Sequence, residues 1–204
     1  MGILMNRLYK NIDEAKAFAL NFTNFVHIYD SVFWGDFIEE PCDACDYWFQ
    51  SKDYLIPKSN CKKPYGILTT LQFGVSAELK DELIERFDVT EDDFRPIRNK
   101  TGEIVFYQIT PQHTMLPIYK ENGWIPKPPC PKCGRVQYTS VDHLNEKGEW
   151  YHYISQEALD DMHDFNITYE RLERHYPIYV ISRRVYEFLV ERYPRTKYFP
   201  FFLK

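Results

Sequence analysis

The sequence predicts an α+β fold of mixed sheets with a few short helices, arranged as two similar strand–helix halves. Three observations carry this reading. Short aromatic and β-branched runs recur between clusters of turn residues, the pattern of strands. Two stretches echo each other without a gap, VSAELKDELIERF at 75–87 and ISRRVYEFLVERY at 181–193. Each runs from a strand through a serine into an amphipathic helix, and each is followed by a Phe and a Pro (Phe94 and Pro96; Phe199 and Pro200). Two Cys-x-x-Cys pairs, Cys42/Cys45 and Cys130/Cys133, each precede one of these units. The chain is accordingly expected to be a single domain over 1–204, with a pseudo-repeat relating 35–110 to 124–204 and the cysteines clasping the two.

Taken in order, ILMNRLYK at 3–10 fits a first strand, and IDEAKAFAL at 12–20 has the spacing of a short amphipathic helix. FTNFVHIYDSVFW at 22–34 reads as one or two strands. The first cysteine pair follows at 41–46. Pro57, Ser59, Asn60 and Pro64 then mark a loop, which holds the fifth cysteine, Cys61. GILTTLQFGV at 66–75 fits one buried strand. Ser76 is an N-cap for a helix with Leu79, Leu83 and Phe87 on one face. FRPIRN and EIVFYQI flank Lys100-Thr101-Gly102 as a hairpin. LPIYKENGWIPKPP reads as a Pro-rich linker into the second cysteine pair. Beyond it lie aromatic strands around a Glu-Lys-Gly turn at 146–148, then a short helix capped by Ser155. Strand PIYVI, cap Ser182, helix 183–193 and KYFPFFL close the chain.

Composition narrows the function. With 204 residues and 44% hydrophobic side chains, the chain can bury a core without staples. A net charge of −5 and a pI near 5.7 argue against a general nucleic-acid binder, which presents a basic face. No run approaches the length of a membrane span. The first residues lack a sustained apolar stretch, so no signal peptide is expected, and Asn6 stands where N-myristoylation needs Ser or Thr. Cysteines grouped in Cys-x-x-Cys pairs suit a reducing compartment and a metal rather than a disulfide framework. A cytoplasmic protein without a membrane partner is expected.

The chemistry lies in the cysteines. Two thiolates three positions apart can hold one ion from a single turn, and Gly134 directly after Cys133 permits the positive φ such a turn needs. Cys42, Cys45, Cys130 and Cys133 together make a full tetrahedral set, which suits structural Zn²⁺. Four thiolates leave no open position for water, so a catalytic metal is not expected. A thioredoxin-like role for Cys-Pro-Lys-Cys competes, because Lys132 beside the pair could lower a thiol pKa. That motif opens a helix, however, whereas Pro128, Pro129, Pro131 and Gly134 surround this one. Deaminases also use Pro-Cys-x-x-Cys but require His-x-Glu, which none of the six histidines supplies. Gly-rich phosphate loops, Gly-x-Ser-x-Gly, His-Glu-x-x-His and EF-hand loops are absent. Cys61 reads as a plain thiol.

Pro41-Cys42-Asp43-Ala44-Cys45 with Trp48, and Pro129-Cys130-Pro131-Lys132-Cys133-Gly134-Arg135, resemble the double-CxxCG bacterial immunity proteins of swarming-inhibition and polymorphic toxin systems. HYPIYVISRRVYEFLVER at 175–192 is similar to that family's closing strand–helix unit. The resemblance spans about 35–195, with Asp46 where the first motif would have Gly. It implies a non-catalytic cytoplasmic protein that binds a cognate toxin and occludes its active site. Two other classes compete: a nucleic-acid-binding zinc ribbon and a thiol-disulfide oxidoreductase. The ribbon would need basic residues at both cysteine pairs. Only Lys127, Lys132 and Arg135 qualify, all at the second, while Glu39, Glu40, Asp43 and Asp46 make the first acidic.

Overall fold

The computed structural model describes residues 9–21, 25–26, 38–45, 47–50, 65–67, 72–99, 101–172, 177–194 and 196–204. The strands in chain order are β1 (Ala17–Asn21), β2 (Phe25–Val26), β3 (Ile38–Cys42), β4 (Tyr47–Gln50), β5 (Tyr65–Ile67), β6 (Gln72–Val75), β7 (Phe94–Arg98), β8 (Ile104–Ile109), β9 (Ile125–Pro126), β10 (Tyr138–Thr139), β11 (His152–Ile154), β12 (Phe165–Ile167), β13 (Tyr179–Ser182) and β14 (Lys197–Leu203). The helices are α1 (Ala77–Arg86), α2 (Tyr119–Asn122), α3 (Gln156–Asp160) and α4 (Arg183–Arg192). This is the mixed α+β architecture with short helices that the sequence predicts.

The chain divides into two compact units. The terminal unit comprises Met1–Asn21, Pro111–Pro129 and Val136–Lys204; the cysteine unit comprises Phe22–Thr110 and Cys130–Arg135. The terminal unit holds a five-stranded sheet in the order β11-β14-β1-β13-β12 and the two-stranded β9-β10. The cysteine unit holds a five-stranded sheet, β2-β5-β6-β8-β7, and the hairpin β3-β4.

The sequence echo corresponds to a shared piece of topology. β6 and β7 both run antiparallel to β8, which lies between them, so α1 joins two parallel strands across an inserted antiparallel one. α4 does the same for β13 and β14, with β1 as the inserted strand. Both are split β-α-β units. Each helix starts on a serine: the Leu79 N–H donates to Ser76 Oγ at 3.2 Å, and the Val185 N–H to Ser182 Oγ at 3.4 Å.

The core of the terminal unit explains the largest departure from the sequence reading. Residues 12–20 do not form a helix. A 3₁₀ turn covers Ile12–Glu14, and Ala17–Asn21 is the central strand β1. Ala17, Phe18, Ala19 and Leu20 are all buried. Ala17 and Ala19 face a cluster with Trp124, Ile154, Val180 and Phe201. Phe18 stacks on Tyr186 of α4, with ring centroids 3.6 Å apart. A strand covered on both faces shows no alternation, so its run of apolar residues mimics a helix.

Three smaller corrections apply. Residues 66–75 form two antiparallel strands, β5 and β6, rather than one. The stretch read as a Pro-rich linker is part of the terminal core: Met115, Ile118 and Trp124 are buried, and α2 ends on Gly123 at φ +64. β12 was not anticipated; its three residues are too few to establish a period. The hairpin β7–β8, the Ser155-capped helix and the turn at Gly148 fall where expected. In the region read as strand 3–10, Tyr9 and Lys10 are not strand, and the rest of it lies outside the described residues, as do the loop around Cys61 and most of 22–34. Among the described residues, no helix is long and apolar enough to cross a membrane.

Candidate metal centre

The first cysteine pair sits on a hairpin. β3 delivers Cys42 at its last residue, residues 43–45 make the turn, and β4 leaves at Tyr47, paired opposite Cys42. The Cys45 N–H donates to Cys42 O at 3.3 Å, which curls the turn back on itself. The second pair sits on a tight loop closed twice. The Gly134 N–H donates to Cys130 O at 2.8 Å, and the Cys130 N–H to Arg135 O at 2.9 Å. Gly134 adopts φ +71, the left-handed conformation that an L side chain would strain.

These two turns bring together the four sulfurs singled out from the sequence. Their Sγ atoms all lie within 4.8 Å of one another, with Cys42–Cys130 at 3.8 Å and Cys45–Cys133 at 3.6 Å. A disulfide needs about 2.05 Å, so all four are free thiols. A tetrahedral ion bonded to sulfur at about 2.3 Å separates its ligands by about 3.8 Å. The observed spacing therefore fits a four-coordinate thiolate-bound ion. Cys42 and Cys130 are buried, while Cys45 and Cys133 are partly accessible.

The local electrostatics favour the ligating form. Backbone hydrogen bonds from Cys133 and Lys132 draw the Cys130 thiol down to about 6, so it is largely thiolate at neutral pH. Lys132 Nζ donates to Asp43 Oδ1 at 2.7 Å, across the two turns. That hydrogen bond and the lysine charge hold the Asp43 carboxyl below its ordinary value, and the same pairing raises Lys132. Both side chains are solvent-exposed, so the pair aligns the turns more than it stabilises them. Sequence reasoning missed this contact. Its signal was present as opposite charges inside the two Cys-x-x-Cys spacers.

The cluster joins segments 88 positions apart, one in each half of the pseudo-repeat, yet all four cysteines belong to one compact unit. Among the described residues, no histidine joins the sulfurs. His113 stacks on His163 with ring centroids 4.1 Å apart and contacts Asp161, but among the described residues the cysteines form the only His, Cys, Asp or Glu group close enough to hold an ion. His27, Cys61 and His175 lie outside the described residues.

Fold and site thus define an α+β chain with four cysteines grouped closely enough to hold a metal ion. Comparison with protein-family models, with curated proteins and with solved structures returned no match.

Proposed function

We propose that this chain is a toxin-neutralising immunity protein. It is cytoplasmic and non-catalytic, it binds and blocks a cognate bacterial toxin, and it carries Zn²⁺ as a structural ion at Cys42, Cys45, Cys130 and Cys133. The observation that supports it is the sulfur set itself. All four positions of a tetrahedral ion are taken by thiolates, which leaves none for water or substrate and makes the ion a structural one. The same two motifs carry the resemblance to the double-CxxCG immunity proteins. Function then rests on surfaces that the metal centre holds in place.

One further feature agrees with a binding role. In the terminal unit a groove of about 430 Å³ is lined by Tyr9, Tyr151, Tyr153, Phe202 and Leu144, with Lys10 and Glu146 paired at its edge. Aromatic side chains with charged neighbours are the composition from which binding hot spots are drawn. Against the zinc-ribbon alternative, Lys132, the basic side chain inside the second motif, is engaged by Asp43.

The test is protection. The genes beside this one are searched for a toxin; a candidate is expressed with and without the chain, the two proteins are purified together, and a neighbourhood that encodes no toxin counts against the reading. Rescue of growth with a stable complex supports the reading. A toxin that kills equally in both cases and elutes alone overturns it. Metal analysis of the purified chain is expected to give one zinc per molecule.

A further inference from the structure

The four sulfurs also define how the centre responds to an oxidant. We infer that the cluster is an oxidative modification site, at which a hydroperoxide forms the disulfides Cys42–Cys130 and Cys45–Cys133 and thereby expels the ion. This pairing joins the β3–β4 turn to segment 130–135, so the clasp survives in covalent form. The inference deepens the metal reading of the site and rests on it for the ion that is released.

Geometry favours the pairing without excluding others. All four sulfurs lie within 4.8 Å of one another, and the inter-segment pairs at 3.6 and 3.8 Å need to close by about 1.6–1.8 Å to reach bonding distance. An in-turn bridge between Cys130 and Cys133 would have to form across a loop already fixed by the Gly134–Cys130 and Cys130–Arg135 hydrogen bonds. Access selects the order. Cys45 and Cys133 are partly exposed and Cys42 and Cys130 are buried, so the Cys45–Cys133 bond forms first. Its formation removes two of four ligands and the ion leaves.

The chemistry balances as follows. A thiolate sulfur attacks one peroxide oxygen, the O–O bond breaks, and the departing hydroxide takes a proton to become water. The sulfenic acid left behind is attacked at sulfur by the thiolate opposite. The S–O bond breaks, and hydroxide leaves and is protonated to a second water. Each disulfide therefore takes two electrons from two sulfurs and consumes one hydroperoxide and two protons. Two hydroperoxides oxidise the whole set.

The two pairings have different consequences. A bridge from Cys42 to Cys130 closes a loop of 88 positions and restrains the unfolded chain strongly. A bridge within a Cys-x-x-Cys turn closes almost nothing and leaves the two segments untied.

The experiment uses the full chain purified under reducing conditions. Its metal content is measured, hydrogen peroxide is added stepwise, and released ion is followed with a chromogenic chelator. Disulfides are mapped by mass spectrometry of unreduced peptides, with Cys61 as the reference for non-specific oxidation. The expected result is ion release with the first peroxide consumed per chain, a second peroxide consumed afterwards, and cross-linked peptides carrying Cys45–Cys133 and then Cys42–Cys130. The oxidised, chelated protein should melt on the order of 10 °C above its reduced, chelated counterpart. Bridges Cys42–Cys45 and Cys130–Cys133, or sulfinic acids in place of disulfides, overturn the inference. A chain that carries no metal but still gives the inter-segment bridges defeats the metal reading and leaves the modification site standing.

Discussion

His152 on β11 is enclosed in the terminal core, with the Trp124 ring edge-on at 5.7 Å and Phe201 at 4.9 Å. Its Nδ1 is buried and has no hydrogen-bond partner among the described residues. Burial, with a smaller contribution from His143, pushes its pKa down to about 3. The sign follows from which state takes up the proton. The unfolded chain protonates this histidine below about 6.5, while the folded chain keeps it neutral until about 3. Stability is therefore complete above about 6.5 and falls as the pH drops from there, by up to ~1.4 kcal/mol per unit. His152→Phe should flatten this slope between pH 6 and 4 in urea titrations; an unchanged slope would exclude His152 as its source. Glu170 presents the complementary case. Its fully buried carboxylate accepts from the Ile118 and Tyr119 N–H groups, each at 2.7 Å, and burial raises its pKa. Glu170→Ala strands one buried and one half-buried donor and should cost about 1–3 kcal/mol. Glu170→Gln keeps an acceptor, and urea unfolding should find it closer to the parent; equal losses would mean that packing alone matters.

At the level of elements, the serine caps separate what local sequence dictates from what tertiary structure adds. Ser76 accepts the Leu79 N–H, whereas Ser182 both accepts from the Val185 N–H and donates to Asp164, which in turn accepts from Arg184. Ser76→Ala should cost about 1 kcal/mol, the ordinary worth of an N-cap. Ser182→Ala should cost more, because the buried Asp164 also loses a donor. Denaturant midpoints of the two variants check the order, and equal losses would reduce Ser182 to a simple cap. Both caps and their helices were legible in the sequence, because an exposed face gives α1 and α4 a helical period. β1 was not, because its two buried faces erase the period that distinguishes strand from helix. Nor was the role of 116–129, where prolines and Gly123 suggest a linker while Ile118 and Trp124 fill the core. At the site more was legible. Cysteine spacing identifies each pair, and two pairs add up to one tetrahedral set, so the meeting of segments 88 positions apart was expected from ligand count, while the Lys132–Asp43 contact between the turns was not.

For the whole molecule, the six residues 130–135 are a short excursion of the chain into the cysteine unit. The chain runs Pro111–Pro129 in the terminal unit, supplies Cys130–Arg135 to the cysteine unit, and returns at Val136. All four cysteines thus lie in the cysteine unit, and none belongs to the terminal sheet. Structural zinc contributes about 10–16 kcal/mol in small peptide sites, comparable to the ~5–15 kcal/mol that separates folded from unfolded domains. Removing the ion should therefore cost the cysteine unit most of its stability. The terminal unit keeps its own core around Phe18, Trp124, Tyr186 and Phe201. Hydrogen exchange after chelation under reducing conditions should show protection lost over 72–99 and 104–109 while 17–21, 179–192 and 197–203 retain theirs. Restoring zinc should restore it. Loss spread evenly over both units would mean that they unfold as one body. No loss anywhere would mean that the four sulfurs hold their turns without an ion, and the structural role assigned to the metal would fall.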